Sequence, residues 1–78
     1  MNIKFFTAEW CGPCKSIKPE FHSLMIQYPH HSYEIIDIDT NPQSVIKNKI
    51  KSIPTFIVDN NTRMVGAQGF NQLKNIIK

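Results

Sequence analysis

No stretch of this chain approaches the roughly 18 consecutive apolar residues that a membrane-spanning helix needs. The opening run Met1-Asn2-Ile3-Lys4-Phe5-Phe6 passes at once into Thr7-Ala8-Glu9. A secretory leader needs an apolar stretch of about 7–15 residues, so the expected location is the cytoplasm. Cysteine is scarce, with 2 residues, Cys11 and Cys14. In a reducing compartment a disulfide does not persist as a structural staple. A bond across so short a loop would also constrain the unfolded chain little. The pair alone falls short of a zinc site, which usually takes four ligands. His22, His30 and His31 stand at no spacing that supplies the rest, and they read as surface residues. No metal and no cofactor is expected. Charge of one sign is also lacking: 9 basic residues face 6 acidic ones, for a formal net charge of +3. The densest basic grouping, Lys47, Lys49 and Lys51, reads as a solvated helix end rather than a nucleic-acid patch. Neither nucleic acid nor a membrane is expected as a partner.

What is present fits one small domain over residues 1–78, with 41% hydrophobic and 19% charged residues. A chain of this size buries only about 60% of its unfolded surface, so its core is thin. Asn2 to Phe6 reads as a strand. From Cys11 to Tyr28, the residues Ile17, Phe21, Leu24, Met25 and Tyr28 recur on one helical face. Pro19 lies within this helix and should kink it, and Pro29 stops it. Ser32 to Asp39 is a buried-strand pattern. Asn41-Pro42 is an N-cap followed by proline at the first helical position. It predicts a short helix to about Lys49 that buries Val45, Ile46 and Ile50. Thr55 to Val58 is a third strand, and Asn60-Asn61 supplies turn residues that tolerate positive φ. Arg63 to Gln68 reads as a fourth strand. Asn71 reads as the cap of a last helix with Leu73, Ile76 and Ile77 inward. Met25 and Met64 read as core filler, and Asp37 and Asp39 as loop and capping residues. The order β-α-β-α-β-β-α predicts an α/β fold: a four-stranded mixed sheet flanked by three helices.

Chemistry concentrates in Trp10-Cys11-Gly12-Pro13-Cys14, between the first strand and the first helix. The first turn of a helix carries unpaired N–H groups and the positive end of the macrodipole. A sulfur held there is stabilised as thiolate, the form that attacks disulfides. Cys11, at the helix start, should be exposed and act as nucleophile. Cys14, one turn further in, should be more buried and act as resolving thiol. Pro13 sets the helical φ, and Trp10 reads as a surface contact for substrate.

The run Ala8-Glu9-Trp10-Cys11-Gly12-Pro13-Cys14-Lys15 resembles the active site of the thioredoxin family. Pro19, Ile38-Asp39-x-Asn41-Pro42 and Ile53-Pro54-Thr55 extend the similarity along most of the chain, and Gly69 resembles the glycine that closes the family's substrate groove. The extra N-terminal strand and helix of full-length thioredoxins are missing, which gives the size of a glutaredoxin with the motifs of a thioredoxin. The resemblance implies a minimal thioredoxin fold and a redox-active dithiol working through a mixed disulfide. It implies a cis Ile53–Pro54 bond facing the dithiol, and an apolar rim of Trp10, Gly12, Pro13, Ile53, Pro54 and Gly69 that takes an extended substrate by β-augmentation. It further implies disulfide-containing protein substrates, an NADPH-dependent thioredoxin reductase as electron donor, ribonucleotide reductase as a downstream partner, and a monomer. Two other readings stand beside this one: a glutathione-linked, glutaredoxin-like reductase, and a non-catalytic binding subunit of a larger complex. Shortened forms of this kind resemble thioredoxins carried by some bacteriophages. One departure stands out. The family usually has a buried Asp six residues before the first cysteine and a Lys on the neighbouring strand. Phe5 and Ile35 occupy those places here, so resolution of the mixed disulfide should depend more on pH, with water or Glu9 taking the proton.

Overall fold

A computed structural model describes residues 1–77. The elements are β1 (Asn2–Thr7), α1 (Gly12–Gln27), β2 (Ser32–Asp37), α2 (Pro42–Lys47), β3 (Thr55–Val58), β4 (Thr62–Val65) and α3 (Gly66–Ile76). The sheet order is β2-β1-β3-β4. β1 runs parallel to β2 and antiparallel to β3, and β3 runs antiparallel to β4. The parallel pair requires a crossover, which α1 supplies.

The consecutive residues Phe5 and Phe6 show why the sheet must be covered twice. Neighbouring strand side chains point to opposite faces. Phe5 joins Ile17, Phe21, Phe56, Phe70 and Leu73 on one face, and Phe6 joins Ile36 and Ile57 on the other. Both phenylalanines are fully buried. Phe5 stands opposite Phe56 in register and stacks on it at 4.6 Å between centroids, with Phe21 tilted against Phe5 at 5.0 Å. The first face is closed by α1 and α3. α1 lays Cys14, Ile17, Phe21, Leu24 and Met25 inward, as its periodicity predicts.

The strands and α1 follow the sequence reading closely, and four details differ. β2 ends at Asp37 rather than Asp39, because Asp37 turns the chain. Its carboxylate accepts from the Asp39 N–H at 2.8 Å, and its carbonyl accepts from the Asn41 side chain at 3.0 Å. Asn41 therefore holds the N-cap position of α2 without making a side-chain cap. The β3–β4 turn lies one residue earlier than the Asn60-Asn61 pair suggests: Asp59 and Asn60 have φ of 54° and 64°, and the Asn61 N–H closes the turn on the Val58 carbonyl at 3.2 Å. Two successive positive φ values are those of a primed turn, here within a three-residue connection, since Val58 stands opposite Thr62. β4 stops at Val65, and α3 begins at Gly66 rather than Asn71. Gly66, with φ 76°, takes the chain round this corner, where a side chain would be strained. Leu73 and Ile77 face inward as expected, while Ile76 is left exposed.

The largest correction concerns α2, which ends at Lys47 and buries no residue completely. Ile46, expected in the core, is 76% exposed, and Val45 and Ile50 are half-buried. A helix of six residues offers one short face to the sheet, so adjacent Val45 and Ile46 cannot both use it. α2 closes in a Schellman motif. The Ile50 N–H bonds the Val45 carbonyl at 3.0 Å, and the Lys49 N–H bonds the Ile46 carbonyl at 3.2 Å. Lys49 takes the left-handed position, with φ 53°.

Candidate active site

β1 delivers the chain to Thr7, and the Cys11 N–H bonds back to the Ala8 carbonyl at 3.2 Å. This tight turn sets Cys11 as the N-cap of α1, in extended conformation, with Pro13 in the first turn. The Cys11 sulfur accepts the Cys14 N–H at 3.3 Å. One of the orphan donors at the helix start is thus aimed at sulfur, and no acidic residue lies in the first turn to oppose the positive end of the dipole. A disulfide joins Cys11 and Cys14, with Cα atoms 5.3 Å apart. Cys14 is fully buried, as its depth in the helix predicts. Cys11 is less open than expected, at 6% exposure, because Ala8, Ile38 and Ile53 close round the pair.

Around the dithiol, Trp10, Gly12 and Pro13 are exposed, and Trp10 is 66% so. The indole does not swing freely: its Nε1 donates to the Asp39 carboxylate at 2.8 Å. The Ile53–Pro54 bond is cis. Pro54 is fully buried, and Ile53 is half-buried against the cysteine cluster. Ile53 makes no backbone hydrogen bond among the described residues. An apolar groove of about 310 Å³ runs from Trp10 past Ile38 and Ile53 to Val45 and Ile50, with Lys51 at its edge. Val45, Ile50 and Ile38 looked like core in the sequence. Their part in a groove becomes visible only once α2 is seen to lie loosely on the sheet. Asp39 was read as a loop residue, and its link to Trp10 crosses 29 positions that no local pattern spans.

Gly69 is not on this rim. It is buried in α3, where an added Cβ would lie 2.6 Å from the Met64 carbonyl carbon. The glycine beside the cis bond is Gly66, whose N–H bonds the Pro54 carbonyl at 2.8 Å.

Phe5 and Ile35 stand opposite each other in register on β1 and β2, so the two departures from the family pattern are neighbours. Phe5 belongs wholly to the aromatic core. Ile35 edges a cavity of about 420 Å³ whose carboxylates are Glu9 and Asp37 and whose cations are Lys15 and Lys18. Ala8, packed on the cysteine pair, lines the same cavity. Among the described residues no three His, Cys, Asp or Glu side chains gather closely enough to hold a metal ion, and no helix is long and apolar enough to cross a membrane. His31 lies at the far end of the sheet, just before β2, which pairs with the start of β1. Its pKa is lowered by burial first, then by His30 and the terminal ammonium, against a raising influence of Asp59.

This geometry has close counterparts. The chain is 40% identical over 70 residues to a thioredoxin of Ophiophagus hannah, covering 88% of this chain and 67% of that protein. It is 43% identical over 56 residues to a thioredoxin of Chlamydia trachomatis, covering 72% of this chain and 54% of that one. The oxidised thioredoxin of Plasmodium falciparum superposes with a TM-score of 0.80 at 31% identity, over 95% of this chain and 77% of that one. The chain thus spans between about half and two thirds of these curated relatives' length. The family model named Thioredoxin matches residues 2–78, which contain every element of the sheet and the dithiol between β1 and α1; this chain belongs to the thioredoxin family.

Proposed function

We propose that residues 1–78 form one thioredoxin-like domain that reduces protein disulfides through Cys11 and Cys14. The observation that carries this is the Cys11 sulfur at the start of α1, taking the Cys14 N–H, with Cys14 buried beneath it. In the reduced protein, the Cys11 thiolate attacks one sulfur of a substrate disulfide. A mixed disulfide forms, and the other substrate sulfur leaves as thiolate. Cys14 then loses its proton and attacks the Cys11 sulfur. The intramolecular disulfide closes, the substrate departs with both sulfurs reduced, and two electrons have passed to it. Trp10, Gly12, Pro13 and Ile53 form the docking rim, backed by the buried Pro54, and Gly66, bonded to Pro54, takes the place that the resemblance implies for Gly69. The unpaired Ile53 backbone suits an extended substrate strand.

The electron donor that fits best is an NADPH-dependent thioredoxin reductase, the usual source for this family, with ribonucleotide reductase among the downstream partners. The protein acts as a monomer in the cytoplasm. The deciding experiment is insulin reduction with NADPH plus thioredoxin reductase, run beside glutathione plus its own reductase. Turnover in the first arm, abolished by Cys11→Ser, is expected. Turnover only in the glutathione arm overturns the choice of donor and favours a glutaredoxin-like role. A Cys11→Ser, Cys14→Ser double variant with full biological activity would leave the fold as a binding subunit.

A further inference from the structure

We propose that Arg63 is a positioning residue: its guanidinium latches the C-terminal end of α2, so that the groove beside the dithiol is preformed for a protein substrate. This rests on the protein-disulfide reading above.

α2 is the least anchored element of the fold. It has six residues and no fully buried side chain, and its outward Ile46 is 76% exposed. Yet its inner side supplies one wall of the apolar groove, through Val45 and, closing the Schellman turn, Ile50. The hydrogen bonds at the end of this helix are almost all internal. Lys49 and Ile50 bond Ile46 and Val45, and the Asn48 side chain bonds the Ser44 carbonyl at 2.8 Å. The exception among the described residues is Arg63. Its Nη2 donates to the Asn48 carbonyl at 2.5 Å, and its Nη1 donates to the Lys49 carbonyl at 3.3 Å.

The latch therefore crosses from β4 to the end of α2. β4 is itself fixed to β3 in register, with Arg63 opposite Ile57. Two donors of one planar guanidinium on two adjacent carbonyls define an orientation as well as a distance. The cation also lies at the negative end of the α2 dipole. The carbonyls it holds immediately precede Ile50, Lys51, Ser52 and Ile53, which form the groove's floor and edge. Without Arg63, α2 and residues 50–52 are free to open, while Ile53 stays with the buried Pro54 against the cysteine pair, and a substrate must order the loosened part on binding. The dithiol itself is held separately, by α1, by the Ala8 turn and by Gly66 on Pro54. The latch should therefore affect capture of large substrates and leave sulfur chemistry alone.

The test is Arg63→Ala measured on three readouts: insulin turnover with dithiothreitol as reductant, single-turnover reduction of dithiodipyridine (a small neutral disulfide), and amide exchange at Lys49 and Ile50. Insulin KM should rise about three- to tenfold, the scale of net hydrogen bonds lost from an exposed group, with kcat and the dithiodipyridine rate unchanged. Exchange at the two amides should quicken while the melting temperature stays close to wild type. Arg63→Lys should recover only part of the KM, because an ammonium cannot span both carbonyls. Unchanged insulin KM, equal losses on both disulfides, or full recovery by lysine overturns the proposal. Should the wild type reduce dithiodipyridine and not insulin, the protein-substrate reading fails instead, and amide exchange then decides the latch alone.

Discussion

At the scale of single residues, two glycines three positions apart look alike in the sequence, and only one can serve the active site. Gly66 and Gly69 both follow the third strand at a distance suited to the substrate rim. Choosing between them requires the β3–β4 register, which brings Thr55 opposite Val65 and so sets Gly66 beside Pro54. Gly69 has a different reason to be glycine. α3 approaches the Met64 backbone so closely that a Cβ would sit 2.6 Å from its carbonyl carbon and 2.9 Å from its oxygen. Backbone cannot swing aside as a side-chain tip can. Gly69→Ala should therefore lose about 1–3 kcal/mol of stability, the range for overpacking a well-filled core. The midpoint of urea unfolding measures this. The reactivity of the dithiol should be unaffected, and an equal or higher midpoint would show that α3 yields. Trp10 teaches the same lesson about legibility. Its place next to Cys11 was plain in the sequence, but its tether to Asp39 was not.

At the scale of elements, the readable parts are those with enough length for a period to show. α1 has 16 residues, and its inward set recurs as the periodicity predicts. β3 is a nearly continuous apolar run, and β1 carries adjacent buried Phe5 and Phe6, the mark of strands covered on both faces. α2 is too short for a period to be diagnostic, so its Ile46 was misplaced. The β4–α3 boundary is hidden because Gly66 looks like a weak point in a strand when it is the turn itself. The end of α2 carries a local conflict that can be relieved. Lys49 holds the left-handed position that glycine fills most easily. A side chain there costs about 1–2 kcal/mol, and glycine gives back roughly half of that gain through added freedom in the unfolded chain. Lys49→Gly should raise stability by about 0.5–1 kcal/mol. The carbonyl that Arg63 grips is unchanged by the substitution, so the insulin KM should stay at its wild-type value. A lower urea midpoint would mean that the lysine side chain supplies a contact outweighing the backbone strain.

At the scale of the whole molecule, the fold and the dithiol were legible because both follow from patterns local in sequence: a βαβ unit, a helix start and two cysteines one turn apart. The replacement of the family's buried acid was also visible, but its consequence depends on packing across the sheet. Phe5 is not a vacant substitute. It stacks on Phe56 and packs on Phe21, and the thin core of a 78-residue chain depends on that aromatic cluster. Phe5→Asp would open a cavity and bury a carboxylate among rings, at a cost of at least about 3 kcal/mol. That is a large share of the roughly 5–15 kcal/mol by which a domain is stable. The acid therefore cannot be restored by that substitution alone. The proton of Cys14 then needs another route, and the cavity edged by Ala8, Glu9 and Asp37 places carboxylates within one side-chain layer of the pair. With Phe5 in place of the family's buried acid, resolution of the mixed disulfide should follow the supply of thiolate. Its single-turnover rate should climb as pH rises between about 6 and 8.5, because thiolate is the attacking form. A flat profile across that interval would show that a fixed group takes the proton. Glu9→Gln would then identify it, by making the profile steep if Glu9 is that base and by leaving it flat if it is not.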